Sequence, residues 1–411
     1  MAENQPDARR REQENRSMAE FTFSDYERRW RAFARASLDD FNPKSPACGA
    51  EAEFDELALA LFRLQFAHNP PYRRLCEFYG RSPSEVTHWS LIPRAPTVAF
   101  KECDLTCLAP AERSRVFHSS GTSAQTPSRH FHDATSLAIY ETSLDPWFRA
   151  NVLPQELTTH ANSPQDDSAS RLWIALTPPP EQAPHSSLVH MFASVARRGG
   201  VPLEYAGRLD STGAWELDQT GIADRLAEIA VSGQPVLLLG TAFLFVHLLD
   251  YLTQRGLRLT LPAASRVLET GGYKGRSRTL SKPDLHRLMT ERLGIPRSQI
   301  VCEYGMSELS SQAYDRALGV ASPESSAVER VFRFPPWARA RVISPETGSP
   351  APVGETGLLQ VFDLANVFSV MAIQTEDVAI VRANGFELVG RAALAEPRGC
   401  SLMAVATDER E

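Results

Sequence analysis

The sequence predicts an α/β fold with a largely parallel sheet, followed by a C-terminal region of β-hairpins. Two observations point to the sheet. Between residues 222 and 305, short apolar runs alternate with amphipathic ones, and each apolar run ends at small residues. The amphipathic runs close on glycine, as helices do. A third observation, "DVAIVRANGFELVGR" (377–391), marks the change to hairpins: Asn384-Gly385 lies between two alternating apolar runs.

The elements follow in order. In 54–64, Phe54, Leu57, Leu61 and Leu64 share one helical face. The proline-rich segments 156–170 and 178–187 read as surface loops. Ile222, Leu226, Ile229 and Ala230 mark a helix ending near Gly233. "PVLLLG" (235–240) is a buried strand, and the helix after it closes at Gly256. "SRVLETGG" (265–272) is a strand running into a glycine turn. "SKPDLHRLMTERLG" (281–294) has Ser281 as N-cap, Asp284 at the capping-box position and Gly294 as C-cap. "QIVCEYG" (299–305) is another strand. With Asn384-Gly385 as a two-residue loop, Ala383 faces Phe386, and Arg391 lies opposite Val378, diagonal to Asp377.

The chain divides into an N-terminal tail (1–20) expected to be disordered, an α/β domain (21–330) and a β-rich subdomain (331–411). Composition excludes several classes. A formal charge of −7 argues against a nucleic-acid surface. "PVLLLGTAFLFVHLLDYL" (235–252) is interrupted by Gly240, Thr241 and His247, short of the ~20 apolar residues a membrane span needs. Six cysteines without a secretory signal point to free thiols in a reducing cytoplasm. Cys103 and Cys107 have no partner pair at zinc-site spacing.

The chemistry-bearing motifs are "SSGTS" (119–123), "LETGGYKG" (268–275), "EYGMSELSS" (303–311), "TED" (375–377), "GR" (390–391) and "PRGCSL" (397–402). Hydroxyls and backbone N–H groups around Gly121 suit phosphate oxygens. Gly271 and Gly272 leave room for a flat ring close to the backbone. Glu308 is a hard oxygen donor suited to Mg²⁺. Asp377 can accept from both hydroxyls of a ribose, with Arg391 beside it. Of His118, His130 and His132, two flank the serine-rich loop, and the two in "RHFHD" share one face of an expected strand. Structural roles are expected for His130 and His132, with Asp133 as a helix cap, and His118 is within reach of phosphate.

In order and spacing these motifs resemble those of the adenylate-forming enzymes, and "LETGGYKGR", "EYGMSELSSQAYD" and "RGCSL" resemble the acyl-protein synthetases of the LuxE type. The resemblance runs from about residue 55 to 403. It implies an adenylate-forming large domain and an ATP- and Mg²⁺-dependent ligase that converts a fatty acid to acyl-AMP. In that scheme Ser119, Ser120, Gly121, Thr122 and Ser123 hold phosphates, and Gly271, Gly272, Tyr304, Gly305 and Ser307 surround the nucleotide. Asp377 and Arg391 fix ribose, and Glu308 positions Mg²⁺. Cys400 takes the acyl group as a thioester and passes it to a reductase partner.

The phosphate loop departs from the superfamily pattern in lacking its second glycine and its lysine. The chain also ends eleven residues past Cys400, leaving no room for the usual mobile C-terminal domain with its catalytic lysine. Two other readings stand beside this one. Coenzyme A or a carrier protein is the acceptor, with a fatty or aryl acid; or the fold is a scaffold without turnover.

Overall fold

The computed structural model describes residues 21–39, 49–119, 126–153, 171–273, 277–315 and 330–392. The helices are α1 (Phe23–Asp39), α2 (Gly49–His68), α3 (Pro70–Phe78), α4 (Ala99–Glu102), α5 (Ala134–Val152), α6 (Ser187–Gly199), α7 (Gln219–Ser232), α8 (Ala242–Gln254) and α9 (Lys282–Leu293). The first strands are β1 (Ala95–Pro96), β2 (Arg115–His118), β3 (Arg129–His132), β4 (Leu172–Ala175), β5 (Leu203–Tyr205), β6 (Gly207–Leu209) and β7 (Trp215–Leu217). They are followed by β8 (Val236–Thr241), β9 (Arg266–Thr270), β10 (Ile300–Tyr304), β11 (Ala313–Tyr314), β12 (Ala338–Ile343), β13 (Thr356–Asp363), β14 (Ala372–Arg382) and β15 (Gly385–Arg391).

The expected parallel sheet is present. Its order is β11-β10-β9-β8-β4-β5, and every pair is parallel except the antiparallel edge pair of β10 and β11. Strand β8 is buried along its whole length, which is why it reads as an unbroken apolar run rather than an alternating one. One face packs Leu238, Val267 and Ile300 against Leu226, Leu248 and Met289 of α7, α8 and α9. The other packs Leu239, Leu268 and Val301 against Leu144, Phe148 and Phe192 of α5 and α6.

Local signals set the helix ends. The Ser281 side chain accepts from the Asp284 N–H, and Gly294 closes α9 at φ 71°. Gly233 closes α7 in the same left-handed region, at φ 75°. Asp133 caps α5 by accepting from the Ser136 N–H at 2.7 Å. The greasy stretch 235–252 divides into β8 and α8. Among the described residues no helix is long and apolar enough to cross a membrane.

A second sheet runs β1-β14-β13-β12, with β15 paired on β14. Its core is shared with the N-terminal helices: Trp30, Phe33, Phe54, Leu57 and Leu61 cluster with Trp337, Phe362 and Phe386. The face expected in 54–64 is therefore the one α2 buries, at ~1.5–3 kcal/mol for each large side chain.

The hairpin register differs from the expectation. Arg382 pairs with Gly385, so Ala383-Asn384 form the turn and Gly385 belongs to β15. The cause is non-local. Phe332 and Phe386 exchange both backbone hydrogen bonds (2.8 and 3.1 Å), which holds β15 from its other edge. A Cβ on Gly385 would collide with the Phe332 carbonyl. A further register shift between Val378 and Ala379 brings Arg391 directly opposite Asp377, rather than diagonal to it.

Candidate nucleotide and acid site

The unusual residues gather at the carboxyl ends of β8, β9 and β10, where parallel sheets present ligand sites. Strand β9 ends at Thr270, followed by Gly271 and Gly272, both exposed, with Gly272 at φ 104°. A side chain on Gly271 would meet only open space, so the surface there is clear for a flat ligand. Strand β10 ends at Tyr304, and Gly305 follows for a steric reason. A Cβ there would collide with the carboxylate of Glu303.

Tyr304 is the hinge of the arrangement. Its hydroxyl donates to Asp377 Oδ2 at 2.7 Å, joining β10 to β14 across 73 positions. Burial, with the Asp377 charge beside it, holds the phenol well above its ordinary pKa, so it stays a donor. Its ring is edge-on to Phe332, Phe334 and Phe386, at 6.1, 6.1 and 5.5 Å. Asp377 Oδ1 faces Arg391 Nε at 3.5 Å, and the arginine side chain is 77% exposed. A contact so open contributes little stability by itself. It leaves the guanidinium free to reach a ligand.

The loop after β10 buries Ser307 and Glu308. Ser307 Oγ donates to Glu308 Oε2 at 2.9 Å, and Ser128 Oγ lies 3.3 Å from Ser307 Oγ. His130 meets the Ser307 carbonyl through Nδ1 at 2.8 Å. Burial pulls this imidazole down to about 4, so it is neutral and donates to that carbonyl. Ser119 and Ser128 exchange two further bonds: the Ser128 N–H donates to Ser119 Oγ (3.0 Å), and the Ser119 N–H donates to the Ser128 carbonyl (3.3 Å). The mouth of the β2–β3 hairpin is thereby fixed against Ser307 and Glu308.

Glu308 suits a divalent cation. It is buried, and among the described residues no basic side chain pairs with it. Those residues contain no group of three His, Cys, Asp or Glu able to hold a metal alone.

Of the residues singled out from sequence, Ser119, Ser307, Glu308, Tyr304, Gly305, Gly271, Gly272, Asp377 and Arg391 lie at or beside these strand ends. Ser120, Gly121, Thr122, Ser123 and Cys400 fall outside the described residues. His118 stacks on His185, with ring centroids 4.6 Å apart. His132 bonds Ser136 Oγ through Nδ1, the structural role expected of it. Burial raises all four described thiols, Cys76 (to about 12), Cys103, Cys107 and Cys302, so none of them is an activated nucleophile.

Two buried carboxyls escaped the sequence reading. Burial pushes Glu303 up to about 7, and it accepts from Thr270 Oγ1 at 2.5 Å. Its place just before Tyr304-Gly305 was the available signal. Asp363 accepts from the Ser310 N–H, Ser311 Oγ and the Ala365 N–H. It braces the Glu308 loop from 53 residues away, with no local signature.

The fold is that of the adenylate-forming ligases. Solved structures of that fold agree with it. An open conformation of 2-hydroxyisobutyryl-CoA ligase, with 2-HIB-AMP and CoA, matches at TM-score 0.55 and 14% identity, over 83% of this chain and 75% of that one. The same enzyme in its postadenylation state matches at 0.56 and 13%, over 83% and 68%. Residues 215–407 match the family model described as acyl-protein synthetase, LuxE. A long-chain-fatty-acid–luciferin-component ligase of Vibrio harveyi is 23% identical over 362 residues, covering 84% of this chain and 85% of its own length. The ligase of the same name from Aliivibrio fischeri is 22% identical over 338 residues, covering 80% and 79%.

Proposed function

We propose that the protein activates a fatty acid with ATP and then carries the acyl group on its own cysteine. In the first step a carboxylate oxygen attacks the α-phosphorus of ATP, and pyrophosphate leaves. In the second the Cys400 thiolate attacks the acyl carbon, AMP leaves, and the thiol proton goes to solvent. A reductase partner then takes the thioester.

The observation that carries this reading is one convergence. Asp377, fixed by Tyr304, and Ser119, fixed by Ser128 beside Ser307-Glu308, belong to three separate parts of the chain and meet at the same strand ends. Asp377 and Arg391 bind the ribose, and the residues from Ser119 to Ser123 bind phosphates. Glu308 would hold Mg²⁺, whose charge would neutralise phosphate oxygens. The names of the relatives support a long-chain acid and a luminescence-type acceptor.

Fatty-acid-dependent ATP–pyrophosphate exchange tests the first step, and Glu308→Gln should lower it by about a hundredfold or more. A scaffold without turnover gives no exchange at all. Cys400→Ser tests the second step. Exchange should persist while hydroxylamine-sensitive labelling by radioactive fatty acid disappears. Labelling that survives the substitution removes Cys400 from the scheme, and efficient acyl-CoA formation would establish coenzyme A as the acceptor.

A further inference from the structure

The sheet face opposite Tyr304 carries a row of polar side chains at the same strand ends. Thr241 of β8 is in register with Thr270 of β9, Thr270 with Glu303 of β10, and Glu303 with Tyr314 of β11. Two residues earlier in β8, β9 and β10 stand Leu239, Leu268 and Val301. These pack with Tyr314 in the core against α5 and α6, so the whole row faces those helices. All four members are at most 8% exposed.

The row is under-satisfied. Thr270 Oγ1 donates to Glu303, but among the described residues Thr241 Oγ1 and the Tyr314 hydroxyl have no hydrogen-bond partner. Thr241 occupies the N-cap position of α8, where a threonine ordinarily accepts from the helix, yet it makes no such bond. The same holds for Thr177 Oγ1, just past the end of β4, and for His132 Nε2, whose ring lies 6.0 Å from that of Tyr140 on α5. The Glu303 carboxyl acts electrostatically on Tyr140 and Tyr314, so the three lie near one another in the core. A core that leaves several buried polar atoms unpaired on one surface is built to receive something that pairs with them.

We propose that this row recognises the acyl part of the acid, and that the acid carries a hydroxyl or similar hydrogen-bonding group within the first few carbons of its carboxylate. The inference rests on the adenylation reading above. Residues 303 and 304 point to opposite faces of β10, so the nucleotide lies on the Tyr304 side and the acid on the Glu303 side. The two meet over Gly305. The carbons nearest the carboxylate then run beside Thr241, Thr270, Glu303 and Tyr314. A bare alkyl chain there would set methylenes against unpaired donors and acceptors, whereas a hydroxyl gives and takes a hydrogen bond. Sites built this way discriminate strongly against analogues lacking the group.

The test is ATP–pyrophosphate exchange by the full chain with matched acids: hexanoic, decanoic and tetradecanoic, each against its 2- and 3-hydroxy forms. One hydroxy acid should exceed its plain partner in kcat/KM by about tenfold or more. The near-isosteric Thr241→Val and Tyr314→Phe should each reduce that ratio, with an unaltered circular dichroism spectrum showing that the fold persists. A ratio near one in the unaltered protein, or a ratio both variants leave unchanged, overturns the inference while the adenylation reading stands. No exchange with any of the acids overturns both.

Discussion

Tyr304 and Asp377 lie 73 residues apart in the chain and 2.7 Å apart in the fold, the phenol donating to the carboxylate. One closes a strand of the parallel sheet, the other lies in the antiparallel sheet, and their bond ties the sheets together where the nucleotide is expected. Asp377 also faces the exposed Arg391 guanidinium, while its own N–H donates to Thr375 Oγ1 at 3.1 Å. The carboxylate is therefore pre-aimed by a buried partner and left accessible on one side.

Tyr304→Phe keeps the ring among Phe332, Phe334 and Phe386 and removes only the hydroxyl. Losing a hydrogen bond to a charged group costs about 1.5–3 kcal/mol. If that loss falls on nucleotide binding, KM for ATP rises by about tenfold or more, while KM for the acid changes little. Steady-state kinetics with each substrate varied in turn would show it, and an equal rise for the acid would contradict a ribose-positioning role.

Glu303 and Gly305 are coupled through a contact that only glycine permits. Gly305→Ala should destabilise the protein by about 1–3 kcal/mol, the usual penalty for overpacking. In a Glu303→Ala background the carboxylate is gone, and the same substitution should cost markedly less. Urea unfolding of the four proteins in the double-mutant cycle measures this coupling. Strictly additive effects would mean the two residues do not compete for that space.

The buried imidazole of His130 titrates at about 4, against about 6.5 for an ordinary histidine. Between those values the unfolded chain binds a proton that the folded chain refuses. Its stabilising contribution is present above pH ~6.5 and drains away as pH falls toward 4. Glu303 and Asp363 act in the opposite sense. Burial raises them to about 7 and about 6, so the stability linked to their protons is present at low pH and lost as pH rises. Comparing His130→Asn with the unaltered chain cancels the carboxyl contributions. The variant should gain on the unaltered chain by up to about 3 kcal/mol between pH 7 and 4. Melting temperatures that shift in parallel across this range would refute the assignment.

Much of the fold is legible in local residue order because local physics decides it. Ser281, Gly294 and Gly233 cap helices through bonds to their own neighbours, and the apolar runs at 236–241, 266–270 and 300–304 become the buried strands they describe. Nine of the candidate residues nominated from motif order lie at or beside the strand ends, since motif order survives without knowledge of contacts. What the linear order could not supply are partnerships between distant segments. Phe332 moved the turn of the last hairpin by one residue, and a register shift set Arg391 against Asp377. The Tyr304–Asp377 bond, the Asp363 brace and the row from Thr241 to Tyr314 likewise exist only once strands lie side by side. Strand neighbours are chosen by packing across the whole core, and that choice leaves no trace in the propensities of the residues that meet.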